Sequence, residues 1–415
     1  MKALRLIILA LLIGTSVFFS YQIYQQEKLH QVQKADLVEL SDIKYGLFNV
    51  DEWKDLFAEV IAEKMVDFNL ENTDEAALKK DIALFLEKAV DDFEKRYNEE
   101  NKSSGFAGLL KKSISSFAGI FEQVKKDIPI FTDEIYTFLT GSGSKDLIKE
   151  YLSNELDKYT KDTFLATDYT VMNKIISKYE GTTKVETITI IKSKIEENTS
   201  NKNSYQTILL SIYTLTLLLL IFLKKTTKAE FLLFISYSLL LLFLGVFLPM
   251  IAIDARISEL NFPFLGETIQ FKDQVLFFKS KSIMEVVDLM ISQDRIDLLF
   301  VGGLVFLFSV LFPLSKLISS IFYLFSKKLS NTKLIKFLVF KTGKWSMADV
   351  FVIAIFMAYL GFDGLITEQL NQLGKFTGST AVLTTNNSGL LFGFFAFTGF
   401  VIFSLFISQK IKKSV

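Results

Sequence analysis

Apolar runs long enough to cross a bilayer constrain this chain more than any other feature. A helix needs about 20 apolar residues to span the hydrocarbon core. Five stretches reach or approach that length: Tyr205 to Leu223, Ala229 to Ile251, Leu298 to Phe325, Ser346 to Phe362 and Leu390 to Ser408. A sixth, Leu4 to Tyr21, opens the sequence behind Lys2 and Arg5. It reads either as an uncleaved anchor over residues 1–22 or as a signal peptide. No A-x-A-like site follows it, which favours the anchor. Both readings place residues 23–204 outside the cytoplasm.

Lysine placement orients the spans. The connection 326–345 holds Lys327, Lys328, Lys333, Lys336, Lys341 and Lys344 and no acid. Lys224, Lys225 and Lys228 close the second span, and Lys410, Lys412 and Lys413 the sixth. With six spans these three segments and the N-terminus share one side, which the positive-inside rule makes the cytoplasm. The expected outer segments are 23–204, 254–297 and 363–389.

Residues 23–204 are polar and carry helical stripes at spacings of three and four. Trp53, Leu56, Val60, Met65 and Phe68 form one stripe, and Leu78, Ile82, Phe85, Ala89, Phe93 and Tyr97 a second. Phe106, Leu110, Ile114, Phe117, Phe121 and Val124 form a third, which Pro129 is expected to end. These stripes predict helices packed on one another. The third, with Lys111, Lys112, Lys125 and Lys126, also suits a membrane surface or a partner. Residues 184–195 fit a strand or a helix. In the second outer segment, Met250 to Ile257 and Thr268 to Phe278 read as a strand pair, with Pro263 and Gly266 between them. Ile283 to Met290 reads as a short helix.

Composition narrows the chemistry. Lys plus Arg and Asp plus Glu number 46 each, so bulk charge points to no nucleic-acid partner. The chain has no cysteine, which excludes disulfides, cysteine-ligated metals and thiol nucleophiles. His30, the single histidine, reads as a solvated surface residue and leaves little for a metal site or a Ser-His-Asp triad. The GSGS run at 141–144 lacks the full phosphate-loop pattern and reads as a linker. The expectation is no metal, no cofactor and no enzyme activity.

Lys316 is the most informative single residue. It lies about ten residues from the cytoplasmic end of the fourth span, roughly 15 Å into the apolar layer. Such a charge either faces the bundle or a wet cavity, or snorkels to the headgroups. Pro313, one turn earlier, removes a helix hydrogen bond and can kink the span. Asp349 lies one turn into the fifth span, as a partner for Lys316 or as a first-turn acid complementing the helix dipole. Ser315, Ser319, Ser320 and Thr398 either bond their own backbones or join a polar relay with Lys316. Gly245, Gly302, Gly303, Gly389, Gly393 and Gly399 are expected at close helix contacts.

Two motifs carry a family resemblance. One is Ser309-Val-Leu-Phe-Pro-Leu-Ser-Lys-Leu317, which includes Phe312. The other is Lys344-Trp-Ser-Met-Ala-Asp-Val-Phe-Val-Ile-Ala354, with Trp345 and Met347. Together with Leu248-Pro-Met250 they resemble the paraquat-inducible protein A family, over about residues 229–411. The resemblance implies a four-helix membrane domain with a small outer β element, in the inner membrane of bacteria with envelopes. It implies membrane lipid as cargo, a partner of the MCE type, and a lipid pocket or polar relay involving Lys316, Asp349, Pro313, Ser319 and Thr398. The sequence departs from the family in having one such domain, no cysteine-rich zinc segment and an added outer domain.

The expected fold is thus an all-α polytopic membrane protein of about six transmembrane helices. An anchor (1–22), a helix-rich extracytoplasmic domain (23–204) and a single span (205–223) precede the four-helix domain (229–411), which carries the small outer β element. The expected function is lipid trafficking in the envelope. The alternative is a membrane-anchored scaffold or sensor acting through the outer domain.

Overall fold

The structure, a computed structural model, describes residues 2–46, 49–66, 74–99, 124–141, 144–161, 167–223, 225–293, 295–326, 332–340, 348–375 and 381–414. The first helix, α1 (Lys2–Leu40), has 39 residues. At 1.5 Å per residue it is about 58 Å long. The hydrocarbon core accounts for about 30 Å of that. The apolar half, Leu4 to Tyr21, fits the bilayer, and the remainder rises beyond it without a break at residue 22.

Beyond α1 the chain forms α2 (Val50–Val66), α3 (Glu75–Glu99), α4 (124–140), α5 (Lys145–Lys161) and α6 (Thr170–Lys178). The first two stripes face inward: Trp53, Val60 and Met65 of α2 and Leu78, Ile82 and Ala89 of α3 are buried in one core. Phe68 and the third stripe up to Phe121 lie outside the described residues. Pro129 does not end a helix, contrary to expectation; it lies within α4. A proline inside a helix costs about 3 kcal/mol. Here Ile128, Phe131 and Ile135 bury their side chains in the same core and offset that loss.

The chain returns through α7 (Lys184–Phe222), also 39 residues. Residues 184–195, which suited strand or helix, are its first turns. Thr183 caps it by accepting from the Glu186 N–H. α7 packs antiparallel on α1. The Lys202 ammonium donates to Glu27 (3.0 Å), and the Asn198 amide donates to the Gln26 carbonyl (3.1 Å) and to Gln33 (3.4 Å).

The membrane unit follows. It contains α8 (Lys228–Phe247), strands β1 (Ile251–Phe264) and β2 (Glu267–Lys281), α9 (Ile283–Ile291), α10 (Ile296–Phe325, with a π turn at Leu307–Leu311) and α11 (Lys333–Phe340). After these come α12 (Ala348–Lys375), β3 (Ala381–Asn386), β4 (Gly389–Leu390) and α13 (Phe392–Ser414). Among the described residues five helices are long and apolar enough to cross a membrane: α1, α7, α8, α10 and α13. The sixth expected span lies in α12, which is not among the five. The side chains of Asp349 and of residues 369–375 lie outside the described ones, which leaves too short a described stretch of α12 to count as a span.

The predicted strand pair is real and longer than expected. β1 and β2 form an antiparallel hairpin from Ile251↔Lys281 to Phe264↔Glu267. Leu265 (φ 52°) and Gly266 (φ 84°) turn it, both left-handed, as tight hairpins require. Pro263 is tolerated because the β1–β3 pairing ends at Asn261↔Ala381. β3 and β4 complete the sheet on the other side of β1. Sequence reading missed both, although Val382, Thr384 and Thr385 are β-branched.

The hairpin's far half joins the helices of residues 50–161. Ile257, Leu260, Phe264, Ile269 and Phe271 are buried in the core built by α2 to α5. Trp53 lies 4.6 Å from the Phe271 ring and Phe57 4.9 Å from Phe264, measured between centroids. The added helices and the hairpin therefore share one core.

Within the bilayer, α8 and α13 cross closely. A Cβ at Gly245 would lie 2.7 Å from the backbone of Phe397, and one at Gly393 2.3 Å from the Leu248 carbonyl oxygen. Gly303 and Gly389, also expected at close contacts, face open space.

Candidate functional site

The fourth span changes its winding where the sequence motif begins. Leu307–Leu311 forms a π turn, followed directly by Phe312 and Pro313. Proline has no N–H to donate and its ring crowds the carbonyl four residues earlier, here Ser309. Widening the helix by one residue relieves that conflict. Ser309, inside the turn, is buried, and its hydroxyl meets no hydrogen-bond partner among the described residues.

Three residues past Pro313, Lys316 is buried, at 5% exposure. Its ammonium turns toward α13, 3.4 Å from the Ser404 hydroxyl and 3.5 Å from the Ser404 carbonyl. Of the two readings of Lys316, the structure therefore gives the inward one. Pro313 and Ser319, three residues to either side, are buried on the same face. Ser315 and Ser320 bond their own backbone, and so does Thr398, to the Phe394 carbonyl at 2.8 Å. Thr398 also lies six residues, about 9 Å, from Ser404. Phe312 packs edge-on against Phe308 at 5.4 Å. Trp345, Met347 and the Asp349 side chain lie outside the described residues; Asp349 is the second residue of α12. Sequence reading missed Ser404, a hydroxyl in an apolar helix of the same kind as Thr398.

About 16 Å back along α10 from Lys316, Val305 lines an apolar cavity of about 250 Å³. Met250 and Ile253 form its wall on the sheet, Ile283 and Val286 its wall on α9, and Ile355 and Phe362 its wall on α12. Lys279 and Lys281 are the charged groups on its border. The α9 helix is fixed in place by a capping box in which Ser282 and Glu285 bond each other's backbone N–H.

These features sit in a recognisable segment. Residues 262–388 match the family described as Paraquat-inducible protein A. The match begins near the tip of β1 and ends just before β4, so the π turn, Lys316 and α12 fall within it, as do both sequence motifs. It is narrower than the expected 229–411: Leu248-Pro-Met250, most of β1, α8 and α13 lie outside. No curated protein and no solved structure matches the chain. The matched segment thus supplies Lys316, and α13 beyond it supplies Ser404.

His30 is not the solvated residue the sequence suggested. α7 packs along α1 and shields the ring, whose Nδ1 meets no partner among the described residues. Burial, then the ammonium groups of Lys202 and Lys34, push its pKa down to about 4. An unfolded histidine titrates near 6.5. Between those values the unfolded chain binds a proton that the folded chain does not. The stabilisation is therefore complete above about pH 6.5 and lost as pH falls toward 4. With allowance for the ring's partial exposure the contribution is about 2 kcal/mol. His30→Gln should flatten the melting temperature across that window; an unchanged slope would refute the assignment.

Proposed function

We propose that the chain is an inner-membrane component of envelope lipid trafficking, passing lipid between the bilayer and an MCE-type partner through the C-terminal membrane unit. The observation that carries this reading is the apolar cavity beneath the sheet, bounded by α9, α10 and α12 and bordered by Lys279 and Lys281. Apolar walls with a few charged groups at the margin suit an amphiphile. Lys316, deeper on the same helix, offers a polar step within the apolar layer. The family match supports a membrane-associated role of this kind. In this reading α12 is the sixth span, both termini are cytoplasmic, residues 23–204 are periplasmic, and the protein moves its cargo without catalysing a reaction.

Filling the cavity tests the proposal. Val286→Trp and Val305→Trp should each reduce labelling by a photoactivatable phospholipid about tenfold in reconstituted protein. Leu299→Trp, on the exposed face of α10, should leave it unchanged. Equal labelling in all three, with a stable protein complex still recovered, would instead favour the scaffold reading. The core shared by the hairpin and the outer helices gives that reading its support.

A further inference from the structure

The two faces of the β1–β2 hairpin differ in charge near its base. Successive residues of a strand point to opposite faces, and partners across an antiparallel pair share a face. The register Ile251↔Lys281 and Ile253↔Lys279 therefore puts both lysines on the face of Ile251 and Ile253. That face is the wall of the apolar cavity between α9, α10 and α12. The alternate residues, Ala252, Asp254, Phe278 and Ser280, turn toward α1 and α7. There Lys34 lies 3.6 Å from Asp254 and stands over the Phe278 ring.

Lys279 and Lys281 are exposed, and neither forms an ion pair among the described residues. No carboxylate lines the cavity. The acids around it are turned away or engaged. Asp288 lies on the side of α9 opposite Ile283 and Val286, at 100° per residue. Glu285 accepts from the Ser282 N–H in its capping box. Asp363 of α12 accepts from the Asn386 amide at 2.8 Å, on β3, with β1 between it and β2. A lysine at such a margin lays its stem along the apolar wall and carries its ammonium beyond it. The cavity wall is thus apolar, and its margin carries two positive charges.

Size decides which part of a lipid enters. At about 250 Å³ the cavity falls below the roughly 300–1,000 Å³ of sites that enclose a whole small ligand. It has room for part of an acyl chain, and the headgroup stays outside, beside the lysines. We propose that the cavity selects lipids of net negative charge, with Lys279 and Lys281 holding the headgroup while a chain fills the apolar space. This rests on the lipid reading of the same cavity and names the class of lipid.

Two photoactivatable probes with identical acyl chains, one phosphatidylglycerol and one phosphatidylcholine, test it. Both carry a phosphate, but choline cancels its charge, so the comparison isolates net charge. Full-length protein in phosphatidylcholine nanodiscs would receive each probe at the same low mole fraction, with labelled peptides mapped to α9 and α10. Two lysines should favour phosphatidylglycerol about tenfold. The Lys279→Gln, Lys281→Gln double variant should bring phosphatidylglycerol down to the phosphatidylcholine level and leave phosphatidylcholine labelling unchanged. Arginine at both positions should retain the preference, and so should Lys272→Gln, farther along β2. Equal labelling of the parent by the two probes, still blocked by Val286→Trp, overturns the selection and leaves the lipid reading standing. A preference that persists in the double variant also overturns it. Labelling of the cavity by neither probe overturns both readings together.

Discussion

Lys316→Met should abolish lipid transfer while leaving the protein folded and normally abundant. A lysine held in the apolar layer costs on the order of 2.5–3.5 kcal/mol on insertion scales. Methionine keeps the unbranched stem and removes the charge, so packing between α10 and α13 survives. The variant should melt close to the parent, since removing the ammonium also removes the cost of holding a charge in the apolar layer. The Ser404 hydroxyl and carbonyl, 3.4 and 3.5 Å from the ammonium, would lose a charge-assisted donor. Ser404→Ala should give a milder defect of the same kind. Transfer measured between labelled vesicles decides the matter. A parental rate in Lys316→Met at equal abundance would make the lysine a structural residue.

Gly245→Leu should have the opposite signature, loss of the folded protein itself. Its Cβ would lie 2.7 Å from the Cα and the nitrogen of Phe397. Those are backbone atoms of a neighbouring helix and cannot rotate away. α8 and α13 would have to separate, opening a core that contains Phe234, Phe397, Phe400 and Phe403. Overpacking alone costs about 1–3 kcal/mol, and splitting two helices that touch along the backbone should exceed that. Membrane abundance and thermal unfolding in detergent provide the measurement. Gly303→Leu is the matched control, because nothing lies within 4 Å of its added Cβ. Similar destabilisation in both variants would show that helix propensity, not the crossing, sets the effect.

What the sequence disclosed was local. Apolar runs marked the spans, spacing marked the stripes of α2 and α3, and a lone lysine in an apolar run marked Lys316. The strand pair was legible from β-branched residues flanking Gly266. Contacts between distant segments were not legible. Ser404 is 88 positions from Lys316, and a hydroxyl in an apolar helix carries no sign of its partner. The burial of His30 depends on α7, about 170 residues away, packing against a stretch that looks solvated on its own. Pro129 misled because a proline signals a helix boundary only where tertiary packing does not outweigh it. The shared core of Trp53 and Phe271 left no trace either, since each side reads as an ordinary amphipathic element.

The two 39-residue helices have a mechanical consequence. α1 and α7 run unbroken from their apolar halves to the helical domain of residues 50–178, bonded to each other along the way. The hairpin reaches the same domain from a different point on the membrane unit, through Phe264 and Phe271. The upper ends of α1 and α7 pack with α6 through Leu37, Leu40, Ile175 and Ile191, in a core of their own beside the one the hairpin enters. The helices of residues 50–178 are thus tied down at two separate places, so loosening one tie leaves the other to hold them.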